Sequence, residues 1–285
     1  MFGERARPSR RAWWVGSVCA AMGIGWAMAP HAEARAARIA SATPVTSAVD
    51  ERTATPAPND RVPTAPHDRA AAPTMRSSRS TDAEWIGDVL VYPPRSGATR
   101  APVAVMLHGI CGKVENECPW FADAVAKDRW LVCPRGNAKC EGGGALWSWA
   151  ASTAFVENAI ARVAAAHPGE VARDDGMLIG FSWGALVALD VAQRSESTWS
   201  SLVLVAADVR PDAARLARAG VRRVYMGAGN ADMMKAPMIA ASDGLARAGV
   251  ASTFVTTGDV GHGFPRDMDR WVAGAVAWTN APDAL

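Results

Sequence analysis

Residues 177–184 read MLIGFSWG and place a serine between two glycines at a sharp change of pattern. The residues before Ser182 form a short apolar run typical of a buried strand, and residues 183–194 have the spacing of an amphipathic helix. A strand that turns directly into a helix holds the serine in a strained conformation, and the flanking glycines leave room for that turn. Its hydroxyl then lies at a helix amino terminus, where developing negative charge is favoured. The stretch therefore predicts that Ser182 is a nucleophile.

Apolar runs alternate with helical patterns on both sides of this stretch. After an extended segment at residues 85–92, the predicted strands are residues 103–107, 130–133, 177–181, 202–206, 221–226 and 252–256. The predicted helices are residues 120–127, 152–166, 183–194, 212–219, 236–248 and 268–279. Nearly continuous apolar strands separated by helices indicate an α/β fold with a mostly parallel, twisted sheet and helices on both faces. Residues with chemical roles are then expected just after the carboxyl ends of strands.

The amino-terminal part of the chain has a different composition. Residues 1–34 combine four early arginines with an apolar run and the cleavage pattern Ala32-Glu33-Ala34. This pattern predicts a signal peptide, an exported protein in the periplasm or outside the cell, and no stable membrane span after cleavage. An uncleaved membrane anchor is the alternative. Residues 35–81, rich in Ala, Pro, Thr and Ser, predict a disordered spacer, and residues 82–285 predict one globular domain.

The formal net charge of +2 comes from the predicted leader. The chain has 30 basic and 28 acidic residues, of which four arginines and two glutamates lie in residues 1–34, so the remainder is balanced. A balanced charge gives no electrostatic basis for binding nucleic acid or an anionic membrane. Neither is expected as a partner.

Four cysteines follow the leader, at Cys111, Cys118, Cys133 and Cys140. An even number in an exported chain predicts two disulfides, for which three connectivities are possible. Free thiols and a metal site are the alternatives, but a spacing of six residues between cysteines is not a usual zinc pattern.

A serine nucleophile needs a base, which a histidine supplies in most such sites. Among the five histidines, His31 and His67 fall in the leader and spacer, His167 lies in a His-Pro-Gly turn, and His108 closes a predicted strand. His262 lies in a glycine-rich loop after the last predicted strand. This loop can carry an imidazole over the sheet edge, so His262 is the predicted base.

The third member of such a site is a carboxylate that orients the histidine. Asp232 follows the predicted strand at residues 221–226 after a glycine-containing turn and is the preferred candidate. Asp208, after the preceding strand, and Asp259, three residues before His262, are the alternatives.

Ser182, Asp232 and His262 occur in the order that α/β-hydrolases use, each after a predicted strand. The chain resembles the small esterase and dienelactone-hydrolase-like branch of that superfamily over about residues 85–280. The resemblance implies a serine hydrolase that cleaves small-molecule or polymeric carboxylic esters through an acyl-enzyme. The sequence has no glycine-rich nucleotide fingerprint, P-loop or metal-ligating histidine pair, so neither a cofactor nor a metal is expected. A serine peptidase or a cofactor-free haloperoxidase-type enzyme would use the same residues. A non-catalytic binding protein is the remaining alternative.

The resemblance also implies an oxyanion hole. Residues 107–112, LHGICG, are similar to the His-Gly loop of esterases, although Ile110 and Cys111 stand where HGGG-type loops have glycines. One backbone N–H would come from Ile110 or Cys111 and the second from Trp183, the residue after the nucleophile.

Two further tryptophans lie near the same predicted edge. Residues 142–149, GGGALWSW, follow the predicted strand at residues 130–133. Trp147 and Trp149, together with Trp183, either form a wall of an apolar substrate pocket or pack into the protein, and the sequence does not choose between these roles.

Overall fold

The computed structural model of the protein describes residues 82–195 and 198–282. The predicted signal peptide (residues 1–34) and spacer (residues 35–81) lie outside them. The strands are β1 (Glu84–Ile86), β2 (Val89–Tyr92), β3 (Ala101–Leu107), β4 (Trp130–Pro134), β5 (Ala138–Lys139), β6 (Ala145–Leu146), β7 (Val171–Phe181), β8 (Trp199–Val205), β9 (Arg223–Gly227) and β10 (Ala251–Phe254).

The helices are α1 (Val114–Glu117), α2 (Pro119–Val125), α3 (Ser152–Ala166), α4 (Trp183–Arg194), α5 (Ala213–Arg218), α6 (Lys235–Arg247) and α7 (Met268–Thr279), with a 3-10 turn at Trp149–Ala151 before α3. Within residues 82–195 and 198–282, no helix has the length and apolar character that a membrane crossing requires.

Eight of the strands form one sheet, in the spatial order β1-β2-β4-β3-β7-β8-β9-β10. Neighbours from β4 to β10 are parallel, whereas β2 is antiparallel to β4 and β1 is antiparallel to β2. The prediction of a mostly parallel sheet is confirmed. Because the parallel strands point the same way, their carboxyl ends lie along one edge of the sheet, where sites in such folds form.

Helices cover both faces of the sheet, as the alternation along β3 shows. Val103, Val105 and Leu107 face a core shared with α3, α4, α5 and α6. Ala104 and Met106 face a second core shared with α2 and α7. Because successive side chains of a strand point to opposite faces, one apolar run serves both cores.

The extended segment predicted at residues 85–92 is in fact a hairpin. Gly87 has φ +65° and turns the chain between β1 and β2, which pair antiparallel. A glycine adopts this left-handed conformation without steric cost, so one residue splits an otherwise continuous run. The sequence also did not predict α1 or the small antiparallel ribbon of β5 and β6.

The strand before Ser182 begins six residues earlier than its apolar run. Residues 173–175 of β7 are exposed and polar, and the pairing with β3 shifts register between Pro102 and Ala104. Because the start of β7 is irregular and polar, its sequence shows no apolar pattern that predicts a strand. Met177–Ile179, by contrast, are fully buried and form the apolar run.

Candidate active site

Ser182 forms the sharp turn between β7 and α4. Its backbone has φ +53° and ψ −121°, a conformation that residues with a side chain rarely adopt. The turn is held by the Ser182 N–H, which donates to Val205 O at 2.8 Å, and by Ser182 O, which accepts from Ala185 N at 3.0 Å. A methyl group at Gly184 would overlap the backbone oxygen of Leu107, so only glycine allows α4 to approach β3 this closely.

His262 reaches Ser182 from the loop after β10. Its Nε2 lies 2.9 Å from Ser182 Oγ, although the residues are 80 positions apart in sequence. The imidazole lies against the Phe181 ring, with centroids 5.4 Å apart, and its side chain is 44% exposed. The base therefore has an aromatic support on one side and remains accessible from solvent.

Asp232 lies on the far side of His262. The Nδ1 of His262 is 3.1 Å from Asp232 Oδ2 and 3.3 Å from Oδ1. The Asp232 side chain is fully buried, and its Oδ1 also accepts from Met234 N at 2.9 Å. Because a carboxylate accepts, Nδ1 carries the proton and Nε2 is left to accept from the serine hydroxyl.

Backbone hydrogen bonds connect the loop that carries Asp232 to the loop that carries His262. Asn230 N donates to Gly258 O at 2.8 Å, and Ala231 N donates to Val260 O at 3.0 Å. Asp259 Oδ1 accepts from Asn230 Nδ2 at 2.6 Å. These contacts fix the separation of Asp232 and His262 without using either functional side chain.

The alternative acids and histidines lie in other environments. Asp208 is exposed and pairs with Arg210 at 3.2 Å, and Asp259 serves the loop contact just described. His167 Nε2 lies 2.7 Å from Glu84 Oε1, and its ring packs against Trp130 at a tilt of 43°. The structure thus brings together Ser182, Asp232 and His262 and leaves these alternatives in structural contacts.

Several solved structures share the fold of this chain. A Bacillus cereus carboxylesterase superposes with a TM-score of 0.50 at 19% identity, over 67% of this chain and 92% of its own. A ferulic acid esterase gives 0.51 at 18% identity, over 67% of this chain and 91% of its own. An uncharacterized protein from Bacillus cereus ATCC 10987 gives 0.52 at 16% identity, over 64% of this chain and 60% of its own. The chain has the α/β-hydrolase fold. No family model and no curated protein matches it.

Within this fold, the loop after β3 (residues 108–113) lies beside the serine. A methyl group built on Gly109 would be 3.5 Å from Ser182 Cβ and 3.1 Å from the Phe181 ring. Among the hydrogen bonds of the described residues, the N–H groups of Ile110 and Cys111 have no acceptor. Trp183 begins α4, where first-turn N–H groups lack intrahelical acceptors. All three predicted oxyanion donors therefore remain available to a ligand.

His108 supports this loop from inside the protein. Its Nε2 accepts from Gly136 N at 2.9 Å, which places the proton on Nδ1, and Nδ1 donates to Gly109 O at 2.7 Å. Burial lowers the pKa of His108, more than the Gly109 hydrogen bond and nearby Glu115 raise it. A neutral, buried imidazole thus links the loop to the segment after β4.

Trp147 lies in the core, in keeping with the packing role rather than the pocket role. It is 1% exposed, and its Nε1 donates to His108 O at 2.9 Å. Trp149 is 43% exposed and meets Trp183 edge-on, with ring centroids 5.8 Å apart. Of the two predicted pocket residues, only Trp149 presents surface near the nucleophile, because its partner Trp183 follows Ser182 directly.

Glu117, which the sequence did not single out, also contacts the loop. Its Oε2 accepts from Gly109 N at 2.9 Å. Burial raises the pKa of the Glu117 carboxyl, and the hydrogen bond from Gly109 lowers it by less. The only signal in the sequence was a glutamate beside a cysteine, eight residues after Gly109, which is too common to identify a role.

Two disulfides flank the loop. Cys111 pairs with Cys140, and Cys118 pairs with Cys133 of β4. This is one of the three connectivities that the sequence left open. Cys111 has φ +52° and lies on the surface, whereas Cys118 and Cys133 are fully buried. No group of three or more His, Cys, Asp or Glu in the part of the chain that the structure describes is placed to hold a metal ion.

Proposed function

We propose that the protein is a serine hydrolase that cleaves carboxylic esters. The observation that carries this proposal is the relay from Ser182 Oγ to His262 Nε2 at 2.9 Å and from His262 Nδ1 to the buried Asp232 at 3.1 Å. A serine hydroxyl is inert near neutral pH, and this arrangement gives it a base of fixed tautomer.

The reaction proceeds in two steps through an acyl-enzyme. Ser182 Oγ attacks the ester carbonyl while His262 Nε2 takes its proton, and Asp232 stabilises the imidazolium. The N–H groups of Trp183 and of Ile110 or Cys111 hold the carbonyl oxygen as it becomes an oxyanion. His262 then protonates the departing alcohol, and a water activated by the same histidine releases the acid.

An ester is favoured over a peptide because two solved structures of similar fold are a carboxylesterase and a ferulic acid esterase. We also propose that the protein acts outside the cytoplasm, because disulfides such as its two form and persist mainly in oxidising compartments. The exposed Trp149 and its partner Trp183 would contact the acyl or alcohol part of the ester.

The test is turnover of para-nitrophenyl esters together with labelling of Ser182 by a fluorophosphonate. Ser182→Ala is expected to lower kcat by about 10⁵-fold or more and to abolish labelling, because the acyl-enzyme cannot form. Ser195→Ala, at the other end of α4, is the matched control and should retain both. Purified protein that neither turns over esters of any chain length nor takes up the label would refute the proposal.

A further inference from the structure

Glu117 is a carboxylate that points into the loop without a cation beside it. Its side chain is half-buried, and within residues 82–195 and 198–282 it forms no ion pair. Its hydrogen-bond partner is the backbone N–H of Gly109, 2.9 Å away. Partial burial of a carboxylate without a cation costs folding free energy, so stability alone does not explain this placement.

The surroundings of Glu117 are shaped to admit it. A methyl group built on Gly112 would overlap Glu117 Oε1 and would lie 3.0 Å from His108 Nδ1. Glycine at position 112 therefore lets the carboxylate reach under the loop. Glu117 ends the short helix α1, and the next residue, Cys118, is joined to β4 by the buried disulfide. The carboxylate is thus anchored to the sheet rather than to the loop that it contacts.

Gly109 is held from both sides. Its N–H donates to Glu117, and its oxygen accepts from His108 Nδ1 at 2.7 Å. The next two N–H groups along the chain, those of Ile110 and Cys111, have no acceptor within the described part of the chain. The Gly109 N–H lies in the peptide plane shared with His108, and the Gly109 oxygen lies in the plane shared with the Ile110 N–H. Because each plane is rigid, the two hydrogen bonds together fix both planes and so the direction of the Ile110 N–H.

We propose that Glu117 is a positioning residue for the oxyanion loop. Its carboxylate holds the Gly109 N–H and thereby aims the N–H groups of Ile110 and Cys111 at the oxyanion beside Ser182. This assignment rests on the proposed serine-hydrolase function. Glu117 touches no reacting atom and acts through Gly109.

The experiment compares Glu117→Met, which keeps the length of the side chain but cannot accept, with Glu117→Gln, which keeps an acceptor oxygen. We expect Glu117→Met to lower kcat per phosphonate-labelled site by about 10- to 100-fold. Misaligning an oxyanion donor should lower kcat by less than removing that donor does. KM should change by less than about 2-fold, since the loop acts on the transition state. Glu117→Gln should restore kcat to within about 3-fold of wild type.

A second measurement separates positioning from folding. A trifluoromethyl ketone forms an oxyanion on Ser182, so its inhibition constant should weaken in Glu117→Met by the same factor as kcat. Glu115→Ala is the matched control, because Glu115 lies on the same short helix but pairs with Arg135 at the surface. It should match wild type in kcat and in ketone inhibition. If thermal unfolding shows that Glu117→Met is not folded, Glu117→Ala is used in its place.

The inference is overturned if folded Glu117→Met keeps kcat and ketone inhibition within about 2-fold of wild type. It is also overturned if Glu117→Gln is as impaired as Glu117→Met, since the acceptor would then not be the relevant feature. A wild-type protein that turns over no ester contradicts the proposed function instead. In that case the rate of phosphonate labelling of Ser182 tests the positioning role independently of ester turnover. Equal labelling rates in wild type and Glu117→Met would overturn that role.

Discussion

Asp232 differs from the other aspartates near this edge in its burial and in its partner. Its side chain is inaccessible and faces His262 Nδ1, whereas Asp208 is exposed beside Arg210. We expect Asp232→Asn to lower kcat by about 10⁴-fold, because an amide in this position favours the wrong histidine tautomer. Asp208→Asn is the control and should retain kcat within about 2-fold. Steady-state kinetics on a short aryl ester measures both, and near-normal turnover by Asp232→Asn would remove Asp232 from the triad.

The carboxyl of Glu117 also has a consequence for stability as a function of pH. Burial raises the pKa of this group in the folded state above its unfolded value near 4.5. Between these two values the folded state binds more protons, so the contribution of Glu117 to the free energy of unfolding falls as pH rises. Glu117→Gln does not titrate. Its free energy of unfolding relative to wild type should therefore increase through this window and level off above the raised pKa.

Urea denaturation of both proteins from pH 4 to pH 8 gives this difference directly. A difference that stays constant with pH would mean that the pKa of Glu117 is the same in the folded and unfolded protein. Glu115→Gln, at an exposed position of the same helix, serves as the reference for a change of net charge.

Among the elements, the loop between β3 and α2 depends most on covalent links. Cys111–Cys140 ties its exposed end to the segment after β4, and Cys118–Cys133 ties its buried end to β4 itself. A reductant reaches an exposed disulfide before a buried one. We expect mild reduction by a phosphine under native conditions to open Cys111–Cys140 first and to lower kcat by about 10-fold or more, because Cys111 is a proposed oxyanion donor.

Alkylation followed by mass spectrometry identifies which thiols have been released, and kcat is measured on the same samples. A Cys111→Ser, Cys140→Ser double variant should show the reduced activity from the start and lose no more on mild reduction. Wild-type kcat in that double variant would show that the link does not orient the loop.

The same elements show why the sequence predicted some parts of the molecule and not others. The helices at Ser152–Ala166 and Trp183–Arg194 agree with the predicted ranges because long apolar patterns determine them. Each strand of the ribbon of β5 and β6 has only two residues, which is too few for an alternation of apolar and polar residues to appear in the sequence. Ser182 and His262 could be placed because each follows a strand, whereas the contact of Glu117 with Gly109 depends on tertiary packing that no local pattern records.

Across the domain, the site joins segments that lie on both cores. α4, which begins at the nucleophile, packs into the core of α3 to α6, whereas α7, which follows the histidine loop, packs into the core of α2. The sheet between them holds β7, β9 and β10 in parallel register. The relative positions of Ser182, Asp232 and His262 therefore depend on both cores at once.

This dependence leads to a prediction for the chain as a whole. The residues of both cores lie between Val89 and Val276, and the proposed site lies between His108 and His262. We expect a chain that begins at Asp82, produced in an oxidising compartment, to match one that begins at Arg35 in kcat and KM within about 2-fold and in Tm within about 4 °C, which is about 1 kcal/mol for a domain of this size. Calorimetry and ester hydrolysis on the two purified chains measure this. A lower Tm with unchanged kcat would show that residues 35–81 stabilise the domain, and a lower kcat at equal Tm would show that they contribute to the site.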